Sequence, residues 1–398
     1  MKRIVLLTDT LTPYRKAFYE ELYAQGVKQH IEIHILIMME KVSYRTWKYS
    51  DFQRDFTELL ERRVLFGKSD TLYYNTNLKD RLNTLTPDIL ILSGGYTLLP
   101  VWQALYWARQ KECKLFFWSE SHLSEIRNYN RIKFWLREKI RRIFYTKFTT
   151  GGFWYPGEKA QELIKKYASS EAEFIFVPNL INNRSYCRLL DQITLSKDMI
   201  KDKYGLTKEK RIFFSMARLI WVKGFLPFME ALVNVKGYDQ IQLVIAGSGE
   251  LEKELQEYAE QHNVDLKLLG HRNEAEITEL LYCADCFFLP SVSDANPLSC
   301  IEAIWCGKPI LVSEHVGNYP EVVEPGKNGY VFSYTDRKGF QQKITTMIEA
   351  DSSWYERAGA RSREIAESRF EIEKSTTEII QKMKRFIPTE SHNGDKNV

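Results

Sequence analysis

Two carboxylates, Asp294 and Glu302, stand in the stretch SVSDANPLSCIEAIWCGKPI (residues 291–310), which otherwise has the composition of a buried core. The run before them has the character of a strand, and ligands of open α/β sheets bind outside the carboxyl ends of the strands. Both acids are therefore expected to face a ligand crevice. The same spacing is consistent with a structural arrangement in which Asp294 caps a turn and Glu302 pairs with a basic neighbour.

The residues that follow Asp294 predict a short helix whose N-terminus opens onto the same crevice. Asn296 is placed as its N-cap, Pro297 at its first position and Gly307 just beyond its last turn. Glu302 falls at the margin of the apolar stripe of this helix, so its side chain is expected to be half-buried. The positive end of the helix dipole favours an anion near the first free N–H groups. Those groups belong to Leu298, Ser299 and Cys300.

A second set of charged residues lies in MARLIWVKGF (216–225), directly after a strand-like run. Arg218 offers a planar fork for phosphate oxygens and Lys223 a point charge, a combination that suits a diphosphate. Solvated surface cations produce the same pattern. The glycine-rich GSGE (247–250) is a weaker sign of phosphate binding, because a tight strand-to-helix connection has the same composition.

The elements that position these residues follow from short β-branched or aromatic runs that alternate with longer stretches of helical spacing. The runs of the first half are RIVLLT (3–8), IEIHILIM (31–38), DILILS (88–93), KLFFWS (114–119) and EFIFVP (173–178). The runs of the second half are RIFFSM (211–216), IQLVIAG (241–247), LKLLG (266–270), CFFLPS (286–291), KPILVS (308–313) and GYVFS (329–333). We therefore predict an α/β protein with two doubly wound, parallel-sheet domains.

The boundary between the domains is predicted from the polar stretch 179–210, which carries no strand signal. We place the first domain at residues 1–185 and the second at 186–370. A C-terminal helix, 371–387, can cross back to the first domain, and residues 388–398 have the composition of a disordered tail.

The overall composition excludes some classes of protein. With 398 residues, 44% of them hydrophobic and 13% aromatic, the chain can bury the cores of two domains. The net charge of +4 is too small to indicate a nucleic-acid partner. The N-terminal MKRIVLLTDT has too short an apolar run for a signal peptide, so a cytoplasmic location is expected.

The uncharged run 89–108 is long enough to be considered as a membrane span. Ser93-Gly94-Gly95 divides it after a strand-like ILIL, and Pro100 suits the first turn of a helix. A strand, a loop and a helix therefore explain the run better than a span does.

The cysteines include a CxxC pair, Cys283 and Cys286, followed by Cys300 and Cys306. A zinc site needs four ligands that converge, whereas these residues fall on separate predicted elements. They are expected to be buried apolar fillers.

Several short motifs follow one another in the second half of the chain, between residues 215 and 325. They are RLIWVKG, AGSGE, LGHR, ADCFFLPS, an acid followed after seven residues by Glu-Ala and CGKPI, and GNYPEVV. In this order and spacing they resemble glycosyltransferase family 4, the retaining nucleotide-sugar transferases of GT-B fold. The resemblance implies two Rossmann-like domains that face each other across a cleft.

The resemblance also implies roles for four charged residues. Arg218 and Lys223 would hold the diphosphate of the donor and stabilise the charge that develops on it. Glu302 would accept hydrogen bonds from the ribose hydroxyls, and Asp294 would contact hydroxyls of the donor sugar. Retention on one face of the sugar requires no protein nucleophile, because the leaving phosphate oxygen takes the acceptor's proton. The chain lacks an Asp-x-Asp metal clamp, and we predict no metal and no other cofactor.

Further donor contacts are implied around these side chains. The backbone that would close on phosphate and sugar is that of Asn296, Pro297, Leu298 and Ser299, and the residues at the nucleobase are Gly270, His271 and Arg272. Two positions depart from the family pattern, since it usually has Glu where Asp294 stands and a Gly-Phe-Gly-like loop in place of Ala-Asn-Pro. A shorter acid shifts the sugar contact and Pro297 removes an N–H donor, so the identity of the donor stays open.

The first half carries weaker matches to the same family. Where members commonly have a Gly-Gly loop after the first strand, this chain has TDTLTPYRKAF (8–18), so Tyr14 and Arg15 are predicted to contact the acceptor or a phosphate. Where members often have a His that touches the donor sugar, this chain has Glu120 and, two residues later, His122. Glu120 fits the register better. Tyr14 and Arg15 are equally well explained as helix-start residues, and a lone Glu or His at a strand end is more often part of the hydrogen-bonded scaffold.

The segment RNYNRIKFWLREKIRRIFYTKF (127–148) contains eight Lys or Arg against one Glu. Its apolar residues recur at helical spacing, and they are Ile132, Trp135, Leu136, Ile140, Ile143 and Phe144. The plainer interpretation is a helix that packs on the first domain through this stripe and exposes a basic face. The alternative is docking on an anionic membrane, on the inner face of the cell membrane, to reach a lipid-linked acceptor.

The predicted function is transfer of a sugar from a nucleotide-sugar donor to a glycan or lipid-linked acceptor. A non-hydrolysing nucleotide-sugar epimerase and a catalytically weak sugar-nucleotide-binding subunit remain as alternatives of the same fold. A dinucleotide-dependent oxidoreductase is disfavoured, because no GxGxxG follows the first strand with an acid about twenty residues further on.

Overall fold

The structure, a computed structural model, describes residues 2–40, 53–66, 72–123 and 131–387, with the side chains of residues 13 and 14 outside that description. The strands of its first half are β1 (Lys2–Thr8), β2 (Ile31–Ile37), β3 (Thr57–Leu59), β4 (Arg62–Val64), β5 (Tyr73–Asn75), β6 (Ile89–Ser93), β7 (Lys114–Trp118), β8 (Gly152–Tyr155) and β9 (Glu173–Phe176). The helices among them are α1 (Pro13–Lys28), α2 (Leu78–Leu85), α3 (Leu99–Gln110), α4 (Arg131–Lys147) and α5 (Glu158–Lys165).

The second half begins with two helices, α6 (Asn183–Asp191) and α7 (Lys197–Tyr204). Its strands are β10 (Arg211–Met216), β11 (Ile241–Ala246), β12 (Asp265–Gly270), β13 (Cys286–Leu289), β14 (Ile310–Ser313) and β15 (Gly329–Phe332). The helices among and after them are α8 (Phe225–Leu232), α9 (Glu252–Gln261), α10 (Glu274–Cys283), α11 (Leu298–Trp305), α12 (Tyr319–Val322), α13 (Arg337–Glu349), α14 (Ser352–Arg369) and α15 (Ile372–Lys384).

Two parallel sheets organise the described residues, as the alternating pattern predicts. The first has the order β3-β2-β1-β6-β7-β8-β9 and the second the order β12-β11-β10-β13-β14-β15. Their strands are continuous apolar runs because helices cover both faces, and β11 is buried along its whole length. Every strand run predicted from the sequence is present. The short strands β3, β4, β5 and β8 were not predicted, since three or four residues carry too little pattern.

The strand order reverses between β1 and β6 in the first sheet and between β10 and β13 in the second. At such a switch point the loops after neighbouring strands diverge and leave a crevice at the carboxyl ends. The segment with Arg218 and Lys223 follows β10, and the loop with Asp294 follows β13. The topology therefore directs these charges to one edge of the second sheet.

The predicted boundary between residues 185 and 186 falls inside α6. This helix packs on α10 and α11 of the second domain, so by packing the boundary lies between β9 and α6. The C-terminal α15 packs on α1 and β9 of the first domain. Trp154 there donates its indole N–H to the sulfur of Met383 at 3.2 Å, and the rings of Phe116 and Phe386 are 5.1 Å apart.

A further contact between the domains forms at the N-terminus of α5. The backbone N–H of Glu158 donates to Oε1 of Glu321 at 2.5 Å, and Lys159 lies over the ring of Tyr319 at 4.4 Å. Burial raises the pKa of Glu321 to about 7. A Cβ at Gly157 would approach Oε2 of Glu321 to 2.6 Å, so the glycine permits this approach of the two domains.

The basic helix α4 packs on the first domain through only part of the predicted apolar stripe, which is a correction to the plainer interpretation. Phe144 of the stripe is buried and Ile140 partly buried, as is Tyr145 outside the stripe, while Ile132 is 77% exposed and Trp135 58%. Aromatic rings of the sheet and of α3 contact Phe144 and Tyr145 at the C-terminal end of the helix. Residues 127–130 of the predicted segment lie outside the described part of the chain.

Gly224 supports the loop that carries Lys223, and its replacement by alanine is expected to destabilise the fold by about 2–4 kcal/mol. Its φ is +70°, and an added Cβ would lie 2.1 Å from the carbonyl oxygen of Pro290. The hydroxyl of Tyr334 donates to the carbonyls of Gly224 (3.1 Å) and Pro290 (2.6 Å), so neither neighbour can move away freely. Chemical denaturation measures the loss.

The matched control is Gly326→Ala. Gly326 has a φ of +80°, but no heavy atom lies within 4 Å of its added Cβ, so only the conformational cost of about 1 kcal/mol is expected. Equal losses in the two variants would contradict the role given to the contact with Pro290.

Candidate functional site

A cavity of about 430 Å³ opens at the carboxyl ends of β10, β11 and β12, beside the N-terminal half of α11. It brings together five residues that sequence analysis predicted, namely Arg218, His271, Arg272, Ser299 and Glu302. It also includes Tyr186 and Glu274, which were not predicted. We call it the nucleotide cavity, after the ligand that the sequence resemblance implies for it. Its position at a switch point is the place where this topology binds ligands.

The GSGE glycines shape this cavity. A Cβ at Gly247 would lie 1.9 Å from the carbonyl oxygen of Ala217, and one at Gly249 would lie 2.3 Å from that of Leu219. The loop after β11 therefore packs directly on the loop after β10, next to Arg218. The glycines act through close backbone approach, the plainer of the two interpretations of the motif.

Glu302 presents a partly buried carboxylate to the nucleotide cavity. The hydroxyl of Tyr186 donates to its Oε1 at 2.8 Å. Burial raises the pKa of Glu302 to about 7, the hydrogen bond from Tyr186 opposes this rise, and the charge of Glu274 adds to it. Near neutral pH this group changes from a hydrogen-bond donor and acceptor to an acceptor only.

Lys223 and Asp294 form an ion pair rather than lining the nucleotide cavity. Nζ of Lys223 lies 2.5 Å from Oδ2 of Asp294, and the side chains are only 17% and 15% exposed. Burial raises the pKa of the Cys300 thiol, and the negative charge of Asp294 is the second largest cause of this rise. The charge of Lys223 lowers the same pKa, and that of Glu302 raises it. These three charges therefore surround one buried thiol. A ligand phosphate that engages Lys223 has to share it with Asp294.

The loop after β13 differs from its prediction at two residues. Pro297 is the N-cap of α11 and Leu298 its first residue, whereas Asn296 makes no capping hydrogen bond. A proline suits the first position of a helix, because that position does not need a backbone N–H. Here the ψ of Pro297 is 126°, which is extended, so Pro297 lies one residue before the helix instead. Oδ1 of Asn296 is buried with no hydrogen-bond partner among the described residues. Gly307 follows the helix with a φ of +64°, as predicted.

The same loop reaches towards the first domain. The side-chain amide of Asn179 donates to the carbonyl of Asn296 at 3.5 Å. On its other side, a Cβ at Gly317 would lie 1.7 Å from the carbonyl oxygen of Ala295, and the N–H of Gly317 donates to the carbonyl of Asp294 at 2.7 Å. The glycine of GNYPE is thus required for the loop to lie in this position.

A second cavity, of about 370 Å³, lies between the domains. Ala295 of the second domain lines it together with residues of the first domain. We call it the first-domain cavity. Arg15 and Glu120 both line it, 2.5 Å apart, and the guanidinium of Arg15 lies 4.2 Å from the ring centroid of Trp118. Its wall also contains Asp9. Acidic, basic and aromatic groups on one wall suit a polar ligand such as a sugar.

The other predicted residues lie apart from these walls. His122 is buried and is not among the residues that line either cavity, and the side chain of Tyr14 lies outside the described residues. Gly270 ends β12 with a φ of +69° and its carbonyl accepts the N–H of Gly247 at 2.8 Å, so its role is in the backbone. Leu298 begins α11 without lining the nucleotide cavity.

Among the described residues, no group of three or more His, Cys, Asp and Glu is arranged to hold a metal ion. The four cysteines of the CxxC region are all buried, as expected for apolar fillers. Burial raises the pKa of Cys283 to about 11 and that of Cys306 to about 12. These thiols therefore stay protonated near neutral pH.

Tyr186, Glu274 and Asp9 escaped prediction for different reasons. Tyr186 lies in the connecting segment, which the sequence marks only as polar. Glu274 has the appearance of an ordinary acid in the first turn of a helix. Asp9 directly follows β1, and the rule that ligands bind at strand ends would have indicated it.

Comparison with known proteins places this geometry in context. Residues 196–365 match the family model of the group 1 glycosyl transferases. The chain is 23% identical over 207 residues to the N-acetyl-alpha-D-glucosaminyl L-malate synthase of Bacillus anthracis, covering 52% of this chain and 54% of that protein. It is 30% identical over 218 residues to the UDP-Gal:alpha-D-GlcNAc-diphosphoundecaprenol alpha-1,3-galactosyltransferase of Escherichia coli, covering 53% of this chain and 54% of that protein. The chain spans about half the length of the curated relatives it matches.

Solved structures extend the likeness to the whole fold. The crystal structure of Anabaena Alr3699/HepE in complex with UDP and glucose superposes with a TM-score of 0.69, at 15% identity, over 97% of this chain and 100% of that one. The structure of WaaG, a glycosyltransferase involved in lipopolysaccharide biosynthesis, gives a TM-score of 0.65 at 13% identity, over 96% of this chain and 99% of that one. The fold is that of the GT-B glycosyltransferases, with two Rossmann-like domains, as predicted.

Proposed function

We propose that this chain is a retaining glycosyltransferase that moves a sugar from a nucleotide-sugar donor to a glycan or lipid-linked acceptor. The observation that carries the proposal is that Arg218 and Glu302 line one cavity at the switch point of the second sheet. The match of residues 196–365 to the group 1 glycosyl transferases supports it. The names of the similar proteins favour a place in cell-surface polysaccharide or glycolipid biosynthesis.

In this proposal the nucleotide cavity binds the donor nucleotide. Glu302 accepts hydrogen bonds from the ribose hydroxyls, and His271 and Arg272 flank the base. Breaking the bond between sugar and phosphate builds negative charge on the leaving diphosphate, which Arg218 and Lys223 stabilise. Asp294, released from Lys223 by the phosphate, accepts a hydrogen bond from the donor sugar. No step requires a metal ion or a protein nucleophile.

The first-domain cavity is proposed to hold the reacting end of the acceptor. Arg15 and Glu120 supply donors and acceptors for its hydroxyls, and the ring of Trp118 supports the Arg15 guanidinium from below. Ala295 belongs to the same cavity, so the loop after β13 lies between acceptor and donor. The sugar is therefore transferred at the interface between the domains.

The test is a thermal-shift screen with UDP-, GDP- and dTDP-sugars, followed by turnover assays with and without EDTA. A ligand that binds only the folded state raises the melting temperature by mass action. We expect one nucleotide class to stabilise the protein and turnover to survive EDTA. Isomer formation without any acceptor would identify an epimerase, and binding without turnover a binding subunit. No shift with any donor would overturn the proposal.

We further propose that α4 docks the enzyme on an anionic membrane. Its exposed face combines apolar and cationic side chains, namely Ile132, Trp135, Leu136, Ile143, Lys139, Arg142 and Lys147. Soluble surfaces rarely leave such a row of large apolar side chains uncovered, and the interleaved cations match an anionic bilayer. Within the described residues, no helix combines the length and apolarity that a membrane span requires.

The double variant I132S/W135S is expected to lose at least three quarters of its binding to anionic vesicles, because the inserted apolar surface is removed. Sedimentation with phosphatidylglycerol-containing and pure phosphatidylcholine vesicles measures the binding. The control is Met199→Ser, since Met199 is 54% exposed on α7 of the second domain. Equal pelleting of wild type with anionic and neutral vesicles would contradict the membrane proposal.

A further inference from the structure

The carboxylate of Glu302 is hydrogen-bonded on one side only. The hydroxyl of Tyr186 donates to Oε1 at 2.8 Å, and none of the hydrogen bonds found among the described residues reaches Oε2. Tyr186 is 5% exposed and both residues line the nucleotide cavity. One oxygen is thus fixed by the protein, and the other remains to accept a hydrogen bond from a ligand.

A phenol is suited to this position because it stays a donor over the whole useful pH range. Burial raises the pKa of Tyr186, and the neighbouring charge of Glu302 raises it further. The same hydrogen bond lowers the pKa of Glu302 against the effect of burial. A hydrogen bond to the ionised form favours that form, so Tyr186 keeps more of Glu302 ionised near neutral pH.

Other groups around the carboxylate set the background for this effect. The negative charge of Glu274 on α10 raises the pKa of Glu302. Among the described residues, no cation paired with Glu302 offsets this effect. The titratable and charged groups that face Glu302 from the surrounding elements are Tyr186 on α6, Glu274 and Arg272 at the start of α10, Arg218 after β10, His271 after β12, and Cys300 and Cys306 on or beside its own helix.

Helix α6, the first helix of the second domain, carries Tyr186 and contacts both domains. Arg184, two residues earlier, lies 3.4 Å from Glu21 of α1 and 2.7 Å from Glu373 of α15. On its other side α6 packs on α10 and α11. The donor of this hydrogen bond therefore lies on a helix that joins the two domains, whereas its acceptor lies within the second domain.

We propose that Tyr186 is a positioning residue, whose hydroxyl fixes Oε1 of Glu302 and leaves Oε2 aimed at the ribose of the donor nucleotide. The inference rests on the proposed function for the identity of the ligand, but the hydrogen bond itself acts in the ligand-free protein. Removal of the hydroxyl leaves the Glu302 carboxylate free to rotate. It also raises the pKa of Glu302, so the group stays protonated up to a higher pH. Donor affinity then falls most on the acidic side of neutrality.

The test is Tyr186→Phe, with Tyr204→Phe as its matched control. Tyr204 also donates to a glutamate, Glu279, at 2.6 Å, but neither residue lines the nucleotide cavity. Two readouts are needed. The first is the titration of Glu302 in ligand-free protein, followed by NMR of protein with ¹³C-labelled glutamate and assigned by comparison with E302Q. The second is the dissociation constant for UDP and for GDP between pH 6 and 8.

We expect the Glu302 titration to move to higher pH in Y186F and to stay in place in Y204F. Binding of the nucleotide that wild type accepts is expected to weaken about tenfold at pH 7 and less at pH 8, with kcat at saturation nearly unchanged. An unmoved titration, or an equal loss of affinity at every pH, would overturn the inference. If the titration moves but neither nucleotide binds to wild type, the positioning contact stands and the proposed function fails.

Discussion

Glu302→Gln is expected to lower kcat/KM for the nucleotide sugar by about 10²- to 10³-fold. In the proposed function, the carboxylate accepts charge-assisted hydrogen bonds from the ribose hydroxyls, and each such bond contributes about 1.5–3 kcal/mol. Glutamine keeps the shape and the bond from Tyr186 but removes the charge. Steady-state kinetics with the donor found in the thermal-shift screen measures the loss, which should appear mainly in KM.

The pH dependence of the wild type provides an independent check of Glu302. Burial raises the pKa of this carboxyl to about 7, so donor affinity is expected to fall as pH decreases through about 7 and the group becomes protonated. E302Q should lose this inflection. A wild-type affinity that is flat between pH 6 and 8 would contradict the role of the ionised carboxylate.

The same substitution is expected to stabilise the folded protein at pH 8. A carboxyl whose pKa is higher in the folded than in the unfolded state costs stability above its ordinary pKa, and the full cost is reached above about 7. Removing the ionised group therefore recovers about 1–3 kcal/mol, with no gain below pH 4. Glu279→Gln, outside the cavity, is the control for both readouts. Loss of activity together with lower stability at pH 8 would mean that the variant is misfolded.

Lys223→Ala is expected to lower kcat by about 10²- to 10³-fold, the second large effect. In the proposed function, the amine stabilises charge that appears on the leaving diphosphate only as the bond breaks, so the loss should fall on kcat more than on KM. The variant also leaves Asp294 largely buried without its partner at 2.5 Å. This costs about 1–3 kcal/mol of stability, after allowance for the remaining solvent exposure.

The double variant K223A/D294A distinguishes the effect of Lys223 on stability from its effect on kcat. Removing both partners of the ion pair is expected to restore most of the stability lost in K223A, because no unpaired charge remains. The loss in kcat should persist. Lys203→Ala is the matched control, since its amine pairs with Glu279 at 2.6 Å on the surface. Recovery of kcat in the double variant would show that Lys223 serves only to neutralise Asp294.

Residues close in sequence supported the most accurate predictions. The strands β10 and β13 were predicted at their observed places because short apolar runs flanked by polar residues specify buried strands locally. The rule that ligands bind at strand ends then placed Arg218 and Glu302 near one crevice, and both line the same cavity. Gly307 adopts a positive φ just beyond the helix that it was predicted to end.

Contacts between distant segments were beyond the same reasoning. Asp294 was expected to face the ligand directly, yet it pairs with Lys223, because the two loops after β10 and β13 meet across a switch point. The apolar stripe of α4 was expected to pack inwards along its length, but only its C-terminal part does so, where Phe144 contacts the ring of Phe117. Periodicity indicates that a helix has two faces and does not say which one the core selects.

The amino-acid sequence by itself determined the two parallel sheets and the loops that carry the charged residues, because strand and helix periodicities and glycine positions are local properties of the chain. Only the tertiary structure decided that Tyr186 bonds to Glu302 and that Ile132 and Trp135 of α4 are left exposed by the part of the chain that the structure describes. Each depends on which surfaces meet when segments more than a hundred residues apart pack together or on which surface a domain leaves without a partner. Which surfaces become buried depends on all the apolar surfaces of the chain together, so it cannot be predicted from any single stretch of sequence.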